Sequence, residues 1–229
     1  MTSGNHWLVA SGFVFVALFV AAVIVSGEQL GSVGDPDQQF VSYFNDTSNR
    51  ARDIAGAYIL AAAGLAFVVF LAHMYSTLRE RSGQGALPLI ALGTGLVFVA
   101  LLLAATAALS AVSTSMAYAD LYGEERHEFD PDVLRLVTQL GFMLLVFAMW
   151  GAAACIAAIS LAARTAGIFT AWLAGLGFVA AFALLFSFFF LPAVALPIWV
   201  LAVSVMLLRD RAGRAASGQP PLDTFSLTL

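Results

Sequence analysis

The sequence has little charge, a single cysteine and no lysine. Charged residues make up 10% of its 229 residues, against about 25% in soluble domains, and Cys155 has no second cysteine with which to form an internal disulfide. The net charge of −4 provides no basic surface for a nucleic acid. Hydrophobic residues reach 61%, against roughly 45–50% in soluble domains. The composition therefore excludes a disulfide-stapled secreted domain, a disordered chain and a nucleic-acid-binding protein, and it predicts a polytopic membrane protein.

The sequence also lacks the motifs of common enzyme classes. It contains no GxSxG, no phosphate-binding loop, no HExxH and no CxxC, the patterns that position nucleophiles, phosphates and metals. Because it has no lysine, it cannot hold a retinal-type pigment through a Schiff base. General acid–base catalysis needs positioned titratable groups, and the apolar segments contain almost none. We therefore predict no catalytic residue, no metal and no cofactor.

Charges divide the chain into apolar segments of the length needed to cross a bilayer, which is roughly 20 residues. The charge-free stretch 166–208 is too long for one span, and Pro192 and Pro197 divide it because proline interrupts helix hydrogen bonding. We predict an all-α, polytopic transmembrane helical bundle of six helices. It forms a single domain, 1–214, followed by a short flexible cytoplasmic tail, 215–229. The predicted spans are 7–26, 54–75, 87–112, 134–162, 166–188 and 191–208.

The distribution of charge predicts an orientation, because cytoplasmic loops retain positive charge. With the N-terminus inside, six arginines lie on the cytoplasmic side and four on the outer side. Eleven of the fourteen acidic residues lie in two loops, 28–53 and 120–132, on the outer side. The first apolar run is twenty residues long and follows no basic residue, which favours a retained span over a signal peptide. We predict that both termini are cytoplasmic.

Two predicted spans resemble each other. At an offset of 111, seven of the fifteen residues in 55–69 recur in 166–180. Three spans separate the partners, so a duplicated half would be inverted across the membrane, as in several transporter folds. The alternative is chance similarity between helices rich in alanine, glycine and leucine. A weak 3+3 inverted repeat is therefore one hypothesis for the bundle.

Charged and polar residues gather at the outer ends of two predicted spans. Arg50, Arg52 and Asp53 precede the second span, and Arg135 and Gln139 begin the fourth. Residues four apart share a helix face, so Arg135 and Gln139 can point together into the bundle, and Arg135 can pair with Asp53 or with a loop carboxylate. One interpretation is a structural clamp between helix ends. The other is a mouth that binds an anionic or polar ligand through these five residues.

Two further features allow alternative interpretations. His73 lies near the cytoplasmic end of the second span, beside Tyr75. It is either an interfacial histidine or a proton-sensing group, since histidine changes charge near physiological pH. The loop 124–132 is densely acidic but lacks the ligand spacing of an EF-hand. We therefore predict a solvated loop that caps the fourth span.

Aromatic and small residues of the spans are expected to serve packing and anchoring. Trp7, Trp172 and Trp199 are predicted near membrane surfaces, which amphipathic rings prefer. Alanines four residues apart, as at 104 and 108, allow helices to approach closely. Cys155 lies in the middle of a span among alanines and is predicted to be buried and inert.

Three segments resemble a known type of protein: Arg52-Asp-Ile-Ala-Gly-Ala-Tyr58, Arg135-Leu-Val-Thr-Gln-Leu-Gly-Phe142 and Leu196-Pro-Ile-Trp-Val200. The chain is similar, from about the second span to the sixth, to small multi-span integral membrane proteins of actinobacteria whose function is unknown. The resemblance implies six helices, a bacterial plasma membrane and no known cofactor, and it assigns no functional residue.

Three functional classes fit these features. The most favoured is a non-enzymatic accessory or scaffold component of the plasma membrane, which would contact the lipid bilayer and either other membrane proteins or further copies of itself. The first alternative is a small-solute or lipid-binding carrier with a site near the outer mouth. A membrane-embedded enzyme is the least favoured. A carrier predicts a polar cavity, a scaffold predicts a closed core lined by alanine, and an enzyme predicts clustered titratable groups.

Overall fold

The computed structural model describes residues 6–27, 36–82, 85–123, 130–189 and 191–216, in which all regular secondary structure is helical. The helices are α1 (His6–Ser26), α2 (Asp37–Asn45), α3 (Thr47–Ser82), α4 (Ala86–Tyr122), α5 (Pro131–Thr165), α6 (Ala171–Leu184) and α7 (Ala195–Ala216). Two 3₁₀ turns, Ser187–Phe189 and Leu191–Val194, lie between α6 and α7 and together form the 3₁₀ segment. The acidic stretch 124–129 and the predicted tail from residue 217 onward lie outside the described residues.

Helix length and composition indicate a membrane-embedded helical protein. Four helical segments are long and apolar enough to cross a bilayer, namely α3, α4, α5 and Leu191–Arg209. Two further apolar helices, Ala10–Ser26 and Ala171–Leu184, are shorter. The all-α class and the membrane location agree with the sequence prediction. The count of six spans is not confirmed by helix length.

The three central helices are longer than the spans predicted for them. Helices α3, α4 and α5 have 36, 37 and 35 residues, which is about 52–56 Å at 1.5 Å per residue, against roughly 30 Å for the hydrocarbon core. Charged residues end an apolar run but do not end a helix, since they are tolerated outside the hydrocarbon. The span boundaries read from charge are therefore shorter than the helices.

The fifth predicted span begins too early. Gly167 has a φ of 68°, a left-handed conformation that ends α5. Helix α6 then begins at Ala171, and the hydroxyl of Thr170 accepts a hydrogen bond from the backbone N–H of Leu173 at 3.4 Å. Residues 166–170 are thus a turn and not the first turns of a span.

The break predicted at the prolines is present. Helix α6 ends at Leu184, Pro192 lies in the 3₁₀ segment, and α7 begins at Ala195. Pro197 lies in the first turn of α7, where its missing N–H has no intrahelical partner to lose. The result is a 14-residue α6 followed by an irregular connection.

The internal repeat is not confirmed. Residues 55–69 lie wholly inside the long helix α3, whereas residues 166–180 include the α5–α6 turn and the start of α6. The paired segments therefore differ in secondary structure, and the repeat stays a prediction.

Six helices form a closed ring, in the order α1, α3, α4, α5, α6 and α7, with α7 returning to contact α1. The interface between α4 and α5 is the most extensive. Aromatic rings fill the core at the contact of α1, α3 and α4, where the ring centroids of Phe15 and Phe67 are 5.1 Å apart and those of Phe67 and Phe98 are 4.9 Å apart.

The tryptophans divide between core and surface. Trp199 is fully buried and packs edge-on against Phe70, so its ring lies inside the bundle and is not exposed as that of a surface anchor would be. Trp172 is exposed, as an anchor would be, and the side chain of Trp7 lies outside the described residues. Cys155 is buried, as predicted.

Candidate functional site

Helix α2 lies across one end of the bundle, which we call the capped end. It was not predicted, because a nine-residue helix within a polar loop gives a weak pattern. Phe40 and Phe44 lie one turn apart and pack against Val112 and Met116 of α4 and Leu134 of α5. The capped end therefore has a small apolar core of its own, separate from the main core.

Arg50 joins α2, α3 and α4. Its guanidinium is 2% exposed and forms an ion pair with Asp120 of α4 at 2.6 Å. It also donates hydrogen bonds to the carbonyl oxygens of Phe44 and Asn45, at 2.7 and 3.1 Å, and to the hydroxyl of Thr47 at 3.3 Å. The two carbonyls belong to the last turn of α2, where a positive charge is stabilising.

Asp53 joins the same three helices. One carboxylate oxygen accepts a hydrogen bond from the Tyr43 hydroxyl of α2 and the other from the Ser113 hydroxyl of α4, both at 2.8 Å. Burial raises the pKa of Tyr43, and its hydrogen bond to the Asp53 carboxylate raises that pKa further, so the phenol stays neutral and donates. Asp53 is consequently not the carboxylate that pairs with Arg135.

Arg135 attaches α5 to α2. It forms an ion pair with Asp37 of α2 at 2.6 Å and lies 3.6 Å from Asp132, and its guanidinium stands 5.4 Å from the ring centre of Phe40. Asp37 belongs to the predicted outer loop, so Arg135 pairs with a loop carboxylate, one of the two partners expected. Gln139 is half-buried one turn further along α5.

Arg52 differs from its neighbours at the capped end. It is exposed, and the described residues include no ion pair or hydrogen-bond partner for it. Four residues further along α3, Gly56 faces the end of α1, because a Cβ at Gly56 would collide with the Ser26 hydroxyl. Arg52 therefore lies one helical turn beyond the last turn of α1.

A cavity of about 470 Å³ opens next to that point, and we call it the α1–α5 cavity. Its volume lies within the range of pockets that bind small ligands, about 300–1,000 Å³. Its walls come from α1, α3, α5 and the 3₁₀ segment. The lining residues are Phe19, Ala22, Val23, Ser26, Gly27, Leu60, Phe142, Leu145, Met149, Phe188, Phe189, Ala193 and Val194.

The cavity is apolar and lies beside the irregular connection between α6 and α7. Ser26 carries the one polar side chain among the lining residues. Helix α6 stops at Leu184, and the 3₁₀ turns that follow it form part of the cavity wall with Phe188 and Phe189. The sequence signal for this wall is the run of three phenylalanines at 188–190, shortly before Pro192.

His73 lies far from these groups. It is buried, and its backbone carbonyl accepts hydrogen bonds from the hydroxyls of Ser76 and Thr77, each at 2.9 Å. Twenty residues along α3 separate it from Asp53, or about 30 Å. Its proton-sensing role stays a prediction, and so does ligand binding by Arg50, Arg52, Asp53, Arg135 and Gln139.

Two observations limit the chemistry of the site. Among the described residues, no group of three or more His, Cys, Asp or Glu side chains is placed to hold a metal ion. The charged groups Arg50, Asp53 and Arg135 are joined to neighbouring helices. Each of these contacts joins two helices at the capped end.

Comparison with known protein families, with characterised proteins and with solved structures finds no match.

Proposed function

We propose that this protein is a non-enzymatic membrane protein that binds one apolar chain of a lipid in the α1–α5 cavity. The observation that carries this proposal is the cavity itself, which combines a volume of about 470 Å³ with a lining in which every side chain but that of Ser26 is apolar. Apolar cavities of this kind exclude water and accept apolar ligands. The same apolar walls weigh against a small polar solute, for which a carrier needs hydrogen-bonding side chains.

The depth of the cavity fits a lipid chain in one leaflet. On α5 the lining runs from Phe142 to Met149, which is about 10 Å along the helix axis. One leaflet contributes about half of a 30 Å hydrocarbon core. A chain that enters beside α1 and follows α5 would thus stay within the leaflet at the capped end.

The proposal includes a topology. We take α1, α3, α4, α5, α6 with the 3₁₀ segment, and α7 as six crossings of a bacterial plasma membrane. Both termini are then cytoplasmic, and the capped end lies at the outer face. The excess of arginine on the cytoplasmic side supports this orientation.

Substitutions that fill the cavity test the proposal. Leu145 lines the cavity on α5, while Leu140 is exposed on the same helix. We expect Leu145→Trp to reduce the lipid that is retained after purification in mild detergent by at least about tenfold, and Leu140→Trp to leave it unchanged. Native mass spectrometry counts the bound lipid directly. Val194→Trp fills the cavity from a different wall and should reduce the retained lipid in the same way, which distinguishes filling of the cavity from a folding defect specific to position 145.

The proposal fails if folded Leu145→Trp and Val194→Trp proteins retain as much lipid as the parent protein. Circular dichroism and size-exclusion chromatography establish that each variant is folded before its lipid is counted.

A scaffold or accessory component is the second candidate. It is favoured by the tight interface of α4 and α5, where a Cβ at Gly151 would lie 3.0 Å from the backbone nitrogen of Phe98. Close backbone contact of this kind holds membrane helices in one arrangement. A scaffold needs no cavity, so lipid counts that are equal in all variants would favour it.

A further inference from the structure

Arg52 belongs to the same face of α3 as the wall of the α1–α5 cavity. Leu60 lines the cavity, and Gly56 packs against Ser26, which also lines it. Arg52, Gly56 and Leu60 are spaced by four residues, so they follow one another along that face. Arg52 therefore stands one turn beyond the rim, outside the apolar walls.

The carboxylates nearest to Arg52 along the chain already have hydrogen-bond donors. The two oxygens of Asp53 accept from Tyr43 and Ser113, and Asp46 accepts from the backbone N–H and the hydroxyl of Ser48 at 2.7 Å. Arg52 itself has no ion pair within the described part of the chain and is exposed. Its charge acts on Asp46 and Tyr43 nearby, but no described residue forms an ion pair or hydrogen bond with it, and an exposed guanidinium can bind an anion through two parallel hydrogen bonds.

Two more polar groups are candidates to contact the same ligand, one in the cavity wall and one near a lining residue in sequence. Ser26 places a hydroxyl in the cavity wall where α1 ends. Gln139 precedes the lining residue Phe142 by three positions on α5, which puts both on one side of that helix. Gln139 is half-buried, and the structure records no hydrogen bond to it from another described residue.

We propose that the lipid in the cavity is an anionic glycerophospholipid whose phosphate binds to Arg52, with Ser26 and Gln139 as hydrogen-bonding neighbours. This inference rests on the proposed lipid-binding function and specifies the headgroup. The cavity binds the apolar chain of a lipid with any headgroup, and Arg52 determines which headgroup is preferred. An anionic lipid has an apolar chain, which fits the cavity, and a negatively charged headgroup, which an exposed arginine next to the cavity can bind.

The test is a competition between two phospholipids with identical dioleoyl chains, phosphatidylglycerol and phosphatidylcholine, offered in equal amounts in mixed micelles and counted by native mass spectrometry. We expect the parent protein to prefer phosphatidylglycerol. Arg52→Gln should reduce that preference roughly fivefold, the effect of one basic residue on the binding of an anionic lipid, while total bound lipid stays constant. Arg52→Lys should keep most of the preference. Arg79→Gln, at an exposed arginine at the other end of α3, is the matched control and should change nothing.

The outcomes separate the two proposals. If Leu145→Trp removes both lipids and Arg52→Gln leaves the preference unchanged, the cavity binds lipid and the headgroup assignment is wrong. The assignment is also wrong if Arg52→Gln only lowers the melting temperature in lipid-free detergent, because Arg52 then stabilises the fold and does not select the headgroup. If Leu145→Trp retains both lipids, lipid binding in the cavity itself is wrong. Excess soluble glycerophosphate should not displace phosphatidylglycerol, since it lacks the chain.

Discussion

Arg50 and Arg52 are two residues apart on α3 and have opposite surroundings. Two residues on a helix are separated by about 200° of rotation, so one side chain enters the junction of α2, α3 and α4 while the other remains outside. Arg50 is enclosed by four acceptors from Phe44, Asn45, Thr47 and Asp120. A buried charge is tolerated only when it is paired and hydrogen-bonded, and here the acceptors provide both.

Removing the Arg50 side chain should therefore detach α2. We expect Arg50→Met to lower the free energy of unfolding by about 1.5–3 kcal/mol, the range for hydrogen bonds to charged groups. Arg52→Met, at an exposed position on the same helix, should cost less than about 0.5 kcal/mol. Chemical unfolding in detergent, followed by circular dichroism, measures both. If both variants lower the free energy of unfolding by the same amount, Arg50 does not hold α2 against α3 and α4.

The sequence predicts which residues gather at the capped end but not what each one contacts. The sequence offers two kinds of partner for Arg135, Asp53 or a loop carboxylate, because spacing along a helix is local information and does not choose between them. The partner of Arg135 in the structure is Asp37, 98 positions earlier in the sequence. The packing of α2 against the bundle determines that Arg135 forms an ion pair with Asp37, and that Asp53 accepts hydrogen bonds from Tyr43 and Ser113.

Helices in this protein are bounded by backbone conformation more than by charge. The turn at Gly167 and the 3₁₀ segment both fall inside a stretch without charged residues, and the sequence located only the second of them, through its prolines. Helix α2 was missed because it is short, although Phe40 and Phe44 already show its apolar face. The cavity could not be predicted at all, since it depends on where α6 stops relative to α1 and α5.

The α4–α5 interface depends on glycine at one position of α5. A Cβ at Gly151 would lie 3.0 Å from the nitrogen and 3.2 Å from the Cα of Phe98, both backbone atoms that cannot move without the helix. Gly151→Ala should therefore destabilise the protein by about 1–3 kcal/mol, as overpacking does. Gly93→Ala in α4 is the control, because no atom lies within 4 Å of its added Cβ and alanine favours a helix. Thermal unfolding in detergent compares them, and a Gly151→Ala protein as stable as the parent would mean that the interface can relax.

The whole molecule is a closed ring in which each helix contacts the next along the ring. The ring order follows the chain order, apart from α2, which leaves the ring and caps three of its members. Composition predicts a membrane-embedded helical bundle, because apolar segments that cross a bilayer must satisfy their backbone hydrogen bonds internally, as helices do. It does not predict the number of crossings, since α6 has only 14 residues.

Cysteine labelling tests the number of crossings in the full-length protein. In a Cys155→Ala background we expect Ser48→Cys to react with a membrane-impermeant maleimide on intact cells. Glu80→Cys, Thr165→Cys and Arg209→Cys should react only after the cells are permeabilised, because six crossings place all three in the cytoplasm. If α6 and α7 made a single crossing, the cysteines at 165 and 209 would lie on opposite sides. Labelling of that kind would replace the six-span topology with a five-span one.

The shortness of α6 has a consequence for the bilayer around it. Fourteen residues make a helix of about 21 Å, some 9 Å less than the hydrocarbon core. In the proposed six-crossing topology the 3₁₀ segment must complete this crossing, and thinning of the bilayer where that segment borders the α1–α5 cavity is one way to relieve such a mismatch. Headgroups next to α6 would sit deeper than elsewhere, and a phospholipid could enter the cavity from its own leaflet by sliding sideways, with little need to rise out of the membrane.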